Sequence, residues 1–328
     1  MASADGPAPA APAGGVGDLR PFVPLLEGVR DLKRVRPAHG ARDESVLGEL
    51  FNRAWLALEE GRPPEAVAYA EAARALAAVR LGALDGCTLQ THGLTRGEAR
   101  DALLRAFRDV AGPLDARLRE RLEDALDADP PDALCGFEFV DRLLRQPRAG
   151  ATRPGVGRLI LEPPETCADH SAAVAVYGLC LAPRFGADPA EVFFVGIAHH
   201  LFNASLPDAG FVADRLLGDR LSGQLTERAF EYALEELPDE LRARTERALA
   251  ITRPDRLDTP EARAFHTADA LDRVLEMAWH ARAARFTLRD ALGDEPDEFD
   301  VVHPGFAQEV ERAAIRAAGL WPAGLSGA

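Results

Sequence analysis

Long apolar runs, paired cysteines and alternating strand-like segments are all missing from this chain of 328 residues. No apolar stretch approaches the roughly 20 residues that a membrane helix needs, which argues against a membrane span. The four cysteines show no CxxC spacing, which argues against a disulfide framework and a cysteine-bound zinc. The first residues include neither a basic segment nor a leucine-rich one, so we expect no secretory signal and a cytoplasmic protein.

Positive charge is scarce as well. The chain has 38 Lys and Arg against 53 Asp and Glu, a net charge of −15, and Lys33 is its only lysine. Such a surplus repels the phosphate backbone and argues against a general nucleic-acid binder. A small anionic substrate stays compatible with it, because a local arginine cluster can override the overall sign. The expected partner is therefore a small anion, with no nucleic acid and no membrane, and a homo-oligomer is left open.

Helical periodicity dominates what is present. Residues 1–17 are mainly Ala, Pro and Gly, which indicates a disordered tail. In residues 18–130 apolar side chains recur at steps of three and four, and Thr95 with Glu98 forms a capping-box pattern. A Pro-rich break at 127–132 marks a domain boundary. The sequence predicts an all-α protein, with a helical N-terminal region of no assignable role followed by a domain over 131–328.

An irregular segment over 146–164 interrupts the helical pattern and is rich in Gly, Pro and Arg. Ordered loops of this length inside a domain are often functional. Its arginines suit an anionic ligand, and the alternative is a solvated loop that balances acidic neighbours. Glu165, at the next helix start, is either a capping carboxylate or a functional one. Arg148, Arg153 and Glu165 are our candidate substrate-binding residues.

Three histidines and an aspartate on three predicted helices are candidate ligands for one divalent metal: His170, His199, His200 and Asp269. Adjacent residues on a helix point about 100° apart, so His199 and His200 can share a metal only near a helix end. His266 precedes Asp269 by one turn and is expected to support the site. The alternative is ordinary hydrogen-bonded core histidines with a solvated aspartate. The doublet on an apolar helix favours the metal, because burying two imidazoles without partners costs about a few kcal/mol.

The order of these residues resembles the HD-domain phosphohydrolases, and within them the 5′-deoxynucleotidase-like branch. That branch has an Arg-Thr-Gly-Trp-like motif, a Pro-Glu-Ser-Val-Ala-Glu-His segment, a His-Asp doublet and an Ala-Asp-Ala-Leu-like segment. The counterparts here are Pro-Arg-Ala-Gly at 147–150, Pro-Glu-Thr-Cys-Ala-Asp-His at 164–170, His199-His200, and Ala-Asp-Ala-Leu at 268–271. The resemblance covers about residues 133–290.

The resemblance implies an HD-like helical bundle with one metal held by His170, His199 and Asp269, and with His200 in place of the family's aspartate. It implies that Arg148 binds a substrate phosphate, and it assigns catalytic positions to Asp208 and to Asn203, which replaces an acid. The implied activity is hydrolysis of a phosphate ester on a nucleotide-like small molecule.

Nitrogen-rich ligands favour Zn, Fe, Co, Ni or Mn over Mg. The alternatives are a non-catalytic HD-like protein that binds a ligand or partner, and an iron-dependent HD-type oxygenase.

Overall fold

Helices account for nearly all regular structure in the computed structural model, which describes residues 17–37, 44–131, 135–150, 158–253, 257–284 and 307–320. Their bounds are α1 Val23–Asp31, α2 Val46–Glu59, α3 Pro64–Leu81, α4 Gly86–Thr91, α5 Arg96–Val110, α6 Ala116–Ala125, α7 Glu138–Arg145, α8 Cys167–Phe185, α9 Pro189–Ala198, α10 Phe211–Leu217, α11 Asp219–Glu235, α12 Asp239–Ile251, α13 Pro260–Ala284 and α14 Ala307–Ala317. Short 3₁₀ turns occupy Arg20–Phe22, Leu32–Arg34 and Leu201–Ala204. These ranges include no strand beyond one isolated bridge between Pro147 and Thr166, so the all-α prediction is confirmed.

Two further findings concern membrane spans and disulfides. None of the helices in the described ranges is both long and apolar enough to cross a bilayer. The four cysteines form no disulfide. The predicted tail lies outside the described residues except for Gly17.

Local signals fix several helix ends. Thr95 caps α5 and forms the predicted capping box with Glu98. Helix α7 begins only at Glu138, several residues after the Pro-rich break. The backbone N–H of Cys135 donates to the side chain of Asn52, and that of Gly136 donates to the carboxylate of Glu59, both on α2. These two N–H groups therefore have side-chain acceptors instead of helical ones.

One hydrophobic core runs through both predicted regions. It includes Leu26 and Phe51 from the N-terminal region, and Tyr177 and Phe193 from α8 and α9. The hydroxyl of Tyr177 donates to the carbonyl of Leu26 at 2.7 Å. The N-terminal helices therefore pack directly on α8, the helix that carries His170.

Helices α8 and α9 approach each other closely at Gly196. A Cβ added there would lie 2.4 Å from Cα and 2.6 Å from N of Ala175. Since both are backbone atoms, the helices themselves must move apart. We expect Gly196→Ala to lower the free energy of unfolding by about 3 kcal/mol, at the upper end of overpacking effects, as measured by urea denaturation.

Gly223 of α11 is the matched control, because a Cβ there meets nothing within 4 Å. Gly223→Ala should raise the free energy of unfolding by up to about 1 kcal/mol, since alanine has the better helix propensity. Equal effects at the two positions would contradict the close-packing argument.

Candidate metal centre

The first turn of α8 holds His170. Thr166 caps this helix and forms a reciprocal capping box with Asp169, whose carboxylate also accepts from Ser45. The side chain of His170 is 1 % exposed. Its Nδ1 lies 2.7 Å from Oδ2 of Asp272 on α13. An ionised carboxylate only accepts there, so Nδ1 carries a proton, and Nε2 presents a lone pair whenever the ring is neutral.

His199 directly follows Ala198, the last residue of α9. Its Nδ1 lies 2.6 Å from the carbonyl oxygen of Gly196. A carbonyl is also only an acceptor, so the proton of His199 is on Nδ1 and its Nε2 is free to bind a cation. Ligating histidines in metalloproteins are commonly oriented by such hydrogen bonds at the other ring nitrogen.

Nε2 of His170 lies close to two other possible metal ligands. Nε2 of His199 lies 3.2 Å from it, and Oδ1 of Asp269 also lies 3.2 Å from it. Ligand atoms at about 2.0–2.1 Å from a tetrahedral zinc are about 3.3 Å from one another, so each of these two pairs has a spacing that suits a metal ion. Among the four predicted ligands, the atoms that all lie within 4.8 Å of one another are those of His170, His199 and His200.

The electrostatics of the two buried rings favour positive charge between them. Burial and Arg148 act to lower the pKa of His170, but the hydrogen bonds with Asp269 and Asp272 outweigh them and raise it. Burial lowers the pKa of His199 to about 3 and keeps that ring neutral. Facing lone pairs on His170 and His199 repel unless a proton or a metal ion lies between them. A divalent metal can replace the proton that His170 attracts.

His200 has a different environment from its neighbour. Its Nε2 lies 2.7 Å from a guanidinium nitrogen of Arg148, which can only donate. Its Nδ1 lies 2.6 Å from Oδ1 of Asn203, whose amide nitrogen donates to the carbonyl of Leu206. Burial, and then Arg148, hold the pKa of His200 well below its usual value. The ring lies within 4.8 Å of the other two histidines, but Arg148 and Asn203 contact both of its nitrogens.

Arg148 lies at the edge of the centre, with its side chain 14 % exposed. Its Nε is 3.4 Å from Oδ2 of Asp208. Burial acts to raise the pKa of Asp208, but Arg148 and the backbone N–H of Ala149 lower it below its usual value. Asp208 is therefore a carboxylate that can orient Arg148 or accept a proton, rather than donate one.

Backbone contacts hold the loop that carries Arg148. The backbone N–H of Arg148 donates to the carbonyl of Glu165, and that of Cys167 donates to the carbonyl of Gln146. Gly150 has a φ of 75°, and a Cβ there would lie 2.3 Å from the carbonyl oxygen of Leu159. The loop can pass this close to residue 159 only with glycine at position 150.

A buried ionic cluster lies behind His170, and sequence reasoning missed it. Lys33 Nζ lies 2.8 and 2.9 Å from the two oxygens of Asp272, 2.6 Å from Glu165 and 3.6 Å from Glu276. Glu165, His170 and Asp272 alone would also suit a metal, but the ammonium of Lys33 already lies against their carboxylates. Two signals mark this cluster in the sequence: the only lysine, and the recurrence of Asp272, Glu276 and His280 every four residues on α13.

Carboxylates and basic groups alternate around His170. The carboxylates are Glu165, Asp208, Asp269, Asp272 and Glu276, and the cations near them are Lys33, Arg34, Arg148 and Arg273.

The remaining predicted site residues lie elsewhere or are engaged. Glu165 is 3 % exposed and its carboxylate contacts Lys33, so it does not face solvent. His266 lies 3.5 Å from Glu311 of α14, and its ring packs on Phe265, which in turn packs on His199. Arg153 lies outside the described residues.

A cavity of about 1010 Å³ lies in the N-terminal region, lined by residues of α2, α3, α4 and α5. None of the three candidate histidines lines it. Four of the five arginines on its wall, Arg53, Arg74, Arg96 and Arg100, already pair with Glu49, Glu71, Asp127 or Asp129. We therefore place the candidate chemistry at the histidines and not in this cavity.

No family model matches the sequence, and the comparisons with curated proteins and with solved structures found no match either.

Proposed function

We propose that this chain is a divergent HD-domain-like phosphohydrolase that cleaves a phosphate ester of a small, nucleotide-like molecule with one divalent transition metal. The observation that carries the proposal is the position of His170 Nε2, which lies 3.2 Å from His199 Nε2 and 3.2 Å from Asp269 Oδ1. Catalytic zinc sites commonly have three protein ligands and leave a position for water or substrate. A metal bound there supplies Lewis acidity, which activates water and neutralises phosphoryl charge.

This ligand set is smaller than the one the sequence predicts. The proposal gives His200 the task of orienting Arg148, because its Nε2 accepts from that guanidinium. Asn203 holds His200 from the other side, so the two departures from the family pattern contact each other. In this arrangement His200 stays neutral and adds no charge to compete with the metal.

Substrate binding is assigned to Arg148. Its guanidinium is partly exposed beside the histidines and can donate to phosphate oxygens, as arginine does in many phosphate sites. Asp208 would orient the guanidinium and, being ionised, is the candidate proton acceptor. A phosphate bound to Arg148 would lie next to the proposed metal.

The test of the proposal combines metal analysis with an activity panel. We expect about one equivalent of Zn, Co, Ni, Mn or Fe after purification and dialysis, and hydrolysis of at least one nucleoside monophosphate or related monoester. Complete inactivity across a broad phosphatase panel, with the metal fully loaded, would contradict the hydrolase.

Arg148→Met should raise KM by about 10- to 100-fold, since a hydrogen bond to a charged group contributes about 1.5–3 kcal/mol. Arg158→Met is the matched control from the same loop, because Arg158 is exposed and bonds the carbonyls of Ala149 and Ala209. A similar rise in KM for both variants would remove Arg148 from the substrate site.

Two specific observations favour other functions. Asn203 cannot transfer a proton as an acid does, and Asp208 already balances Arg148, as in a non-catalytic scaffold that binds a ligand or partner. Two histidines and one carboxylate are also the ligands of mononuclear iron oxygenases. A metal-free, inactive protein that still binds small anions would favour the scaffold, and stoichiometric iron with oxygen consumption would favour the oxygenase.

A further inference from the structure

The ionic cluster behind His170 links the N-terminal region to the candidate metal centre. Lys33 lies on the 3₁₀ turn that follows α1, and its side chain is 1 % exposed. It reaches α13, where Asp272 is fully buried and lies 239 residues further along the chain. The same carboxylate is the acceptor of His170 Nδ1, so one side chain separates Lys33 from a proposed ligand.

The contacts constrain the carboxylate of Asp272 in two ways. Both of its oxygens lie within 2.9 Å of Lys33 Nζ, which fixes the plane of the group. One of these oxygens, Oδ2, also lies 2.7 Å from His170 Nδ1. A rotation of this carboxylate would therefore turn the His170 ring, and with it the Nε2 lone pair.

The choice of lysine fits this geometry. All other basic residues of the chain are arginines, and the one lysine lies among three carboxylates from two elements. The three N–H bonds of an ammonium diverge from a point, whereas those of a guanidinium lie in one plane. Only the compact group suits carboxylates that approach from several directions.

We propose that Lys33 is a positioning residue of the metal centre, which fixes Asp272 and thereby aims His170 at the metal. The inference rests on the proposed metal site, and it assigns the N-terminal region the task of completing that site. Partners of ligating histidines elsewhere change metal affinity by about 10- to 100-fold when removed.

The first test uses the fact that the chain has one lysine. Full-length protein labelled with ¹⁵N-lysine gives a single side-chain ammonium signal, which reports on Lys33 alone. On titration with zinc we expect this signal to shift and to saturate at one equivalent. In Asp272→Asn the response should be reduced, because the charged link to His170 is lost.

The outcomes separate the two proposals. If calorimetry shows that zinc binds the wild-type protein while the ammonium signal does not move, the positioning role is wrong and the metal site stands. If wild-type protein binds neither zinc nor another of the five metals, the metal site itself is wrong, and the positioning role falls with it.

The second test compares two buried cations that both face α13. Lys33→Met should weaken zinc binding by about 10- to 100-fold and alter the visible spectrum of the cobalt-loaded protein. Arg30 is 2 % exposed and donates to the carbonyl of Leu275, but it contacts Asp31 instead of Asp272. Arg30→Met should leave zinc affinity and the cobalt spectrum unchanged.

A folded Lys33→Met protein with wild-type zinc affinity and cobalt spectrum would overturn the inference. If this variant does not fold, the ammonium titration of the wild-type protein decides the question alone.

Discussion

His199→Ala should abolish zinc binding, whereas alanine at the adjacent His200 should leave the zinc affinity within a few-fold of wild type. The physical reason is that the two rings differ in how many of their nitrogens already have hydrogen-bond partners. Nε2 of His199 faces His170 Nε2 at 3.2 Å, and the other nitrogen of His199 is bound to the carbonyl of Gly196. Both nitrogens of His200 already have partners in Arg148 and Asn203.

The size of the loss in zinc affinity distinguishes a metal ligand from a residue that only contacts one. Removing a supporting partner of a ligand costs about 10- to 100-fold in affinity, so removal of a ligand should exceed about 100-fold. Isothermal calorimetry with zinc, and elemental analysis after dialysis, measure both variants. An equal loss in the two would show that His200 is a ligand, and the four-ligand site predicted from the sequence would then be the right one.

The His200→Ala variant should instead bind the phosphate ester less tightly. Without the imidazole, Arg148 loses the acceptor for one of its guanidinium nitrogens, and its orientation then depends on Asp208. We expect KM for a phosphate ester to rise while the bound metal stays stoichiometric. A change in metal content with KM unaltered would contradict the division of roles between the two histidines.

The sequence could predict the all-α class because the helical periodicity is a local pattern. Helix α9 ends at Ala198, and the His199 ring that follows it lies near His170. Thr95 and Glu98 form the expected capping box for the same reason, since both partners lie within one turn. Such features need no knowledge of how distant segments pack.

Contacts between distant segments could not be predicted from the sequence patterns. Nothing local pairs Lys33 with Asp272, because the chain must first bring α1, α8 and α13 together. The contact of Arg148 with His200 likewise depends on where a loop of irregular backbone lies over α9. A single sequence shows which residues can bind a metal, but not which of them will be satisfied by another side chain.

Replacing Lys33 by methionine should also have the largest effect on stability of the substitutions considered. Methionine has a similar length and no charge, so the carboxylates of Glu165, Asp272 and Glu276 would lose their shared cation inside the core. Breaking a buried ion pair by removing one partner typically costs about 3–5 kcal/mol. We expect a loss of this size in the free energy of unfolding at pH 7.5, measured by urea denaturation without metal.

The loss should shrink as the pH falls. Burial acts to raise the pKa of Asp272 and of Glu276, but Lys33 outweighs it and lowers both. In the wild type these carboxylates therefore stabilise the fold above the unfolded pKa of about 4, and that contribution is lost only as the pH falls through the lower folded values. In the variant, burial of Asp272 is no longer opposed by the ammonium, so its folded pKa should be higher than in the wild type. Ionising this carboxyl group in the folded protein is then less favourable, and the variant loses stability relative to the wild type as the pH rises through that higher folded pKa.

The difference between wild type and variant should consequently be largest at pH 7.5 and smallest near pH 4.5. Arg30→Met provides the comparison, because the acidic partners of Arg30 are Asp31 and Glu27, whose side chains are 55 % and 32 % exposed. Water can solvate these two carboxylates when the arginine is removed, so this variant should show a smaller loss that varies little with pH. A loss for Lys33→Met that stayed constant from pH 4.5 to 7.5 would mean that the destabilisation comes from packing and not from the uncompensated carboxylates.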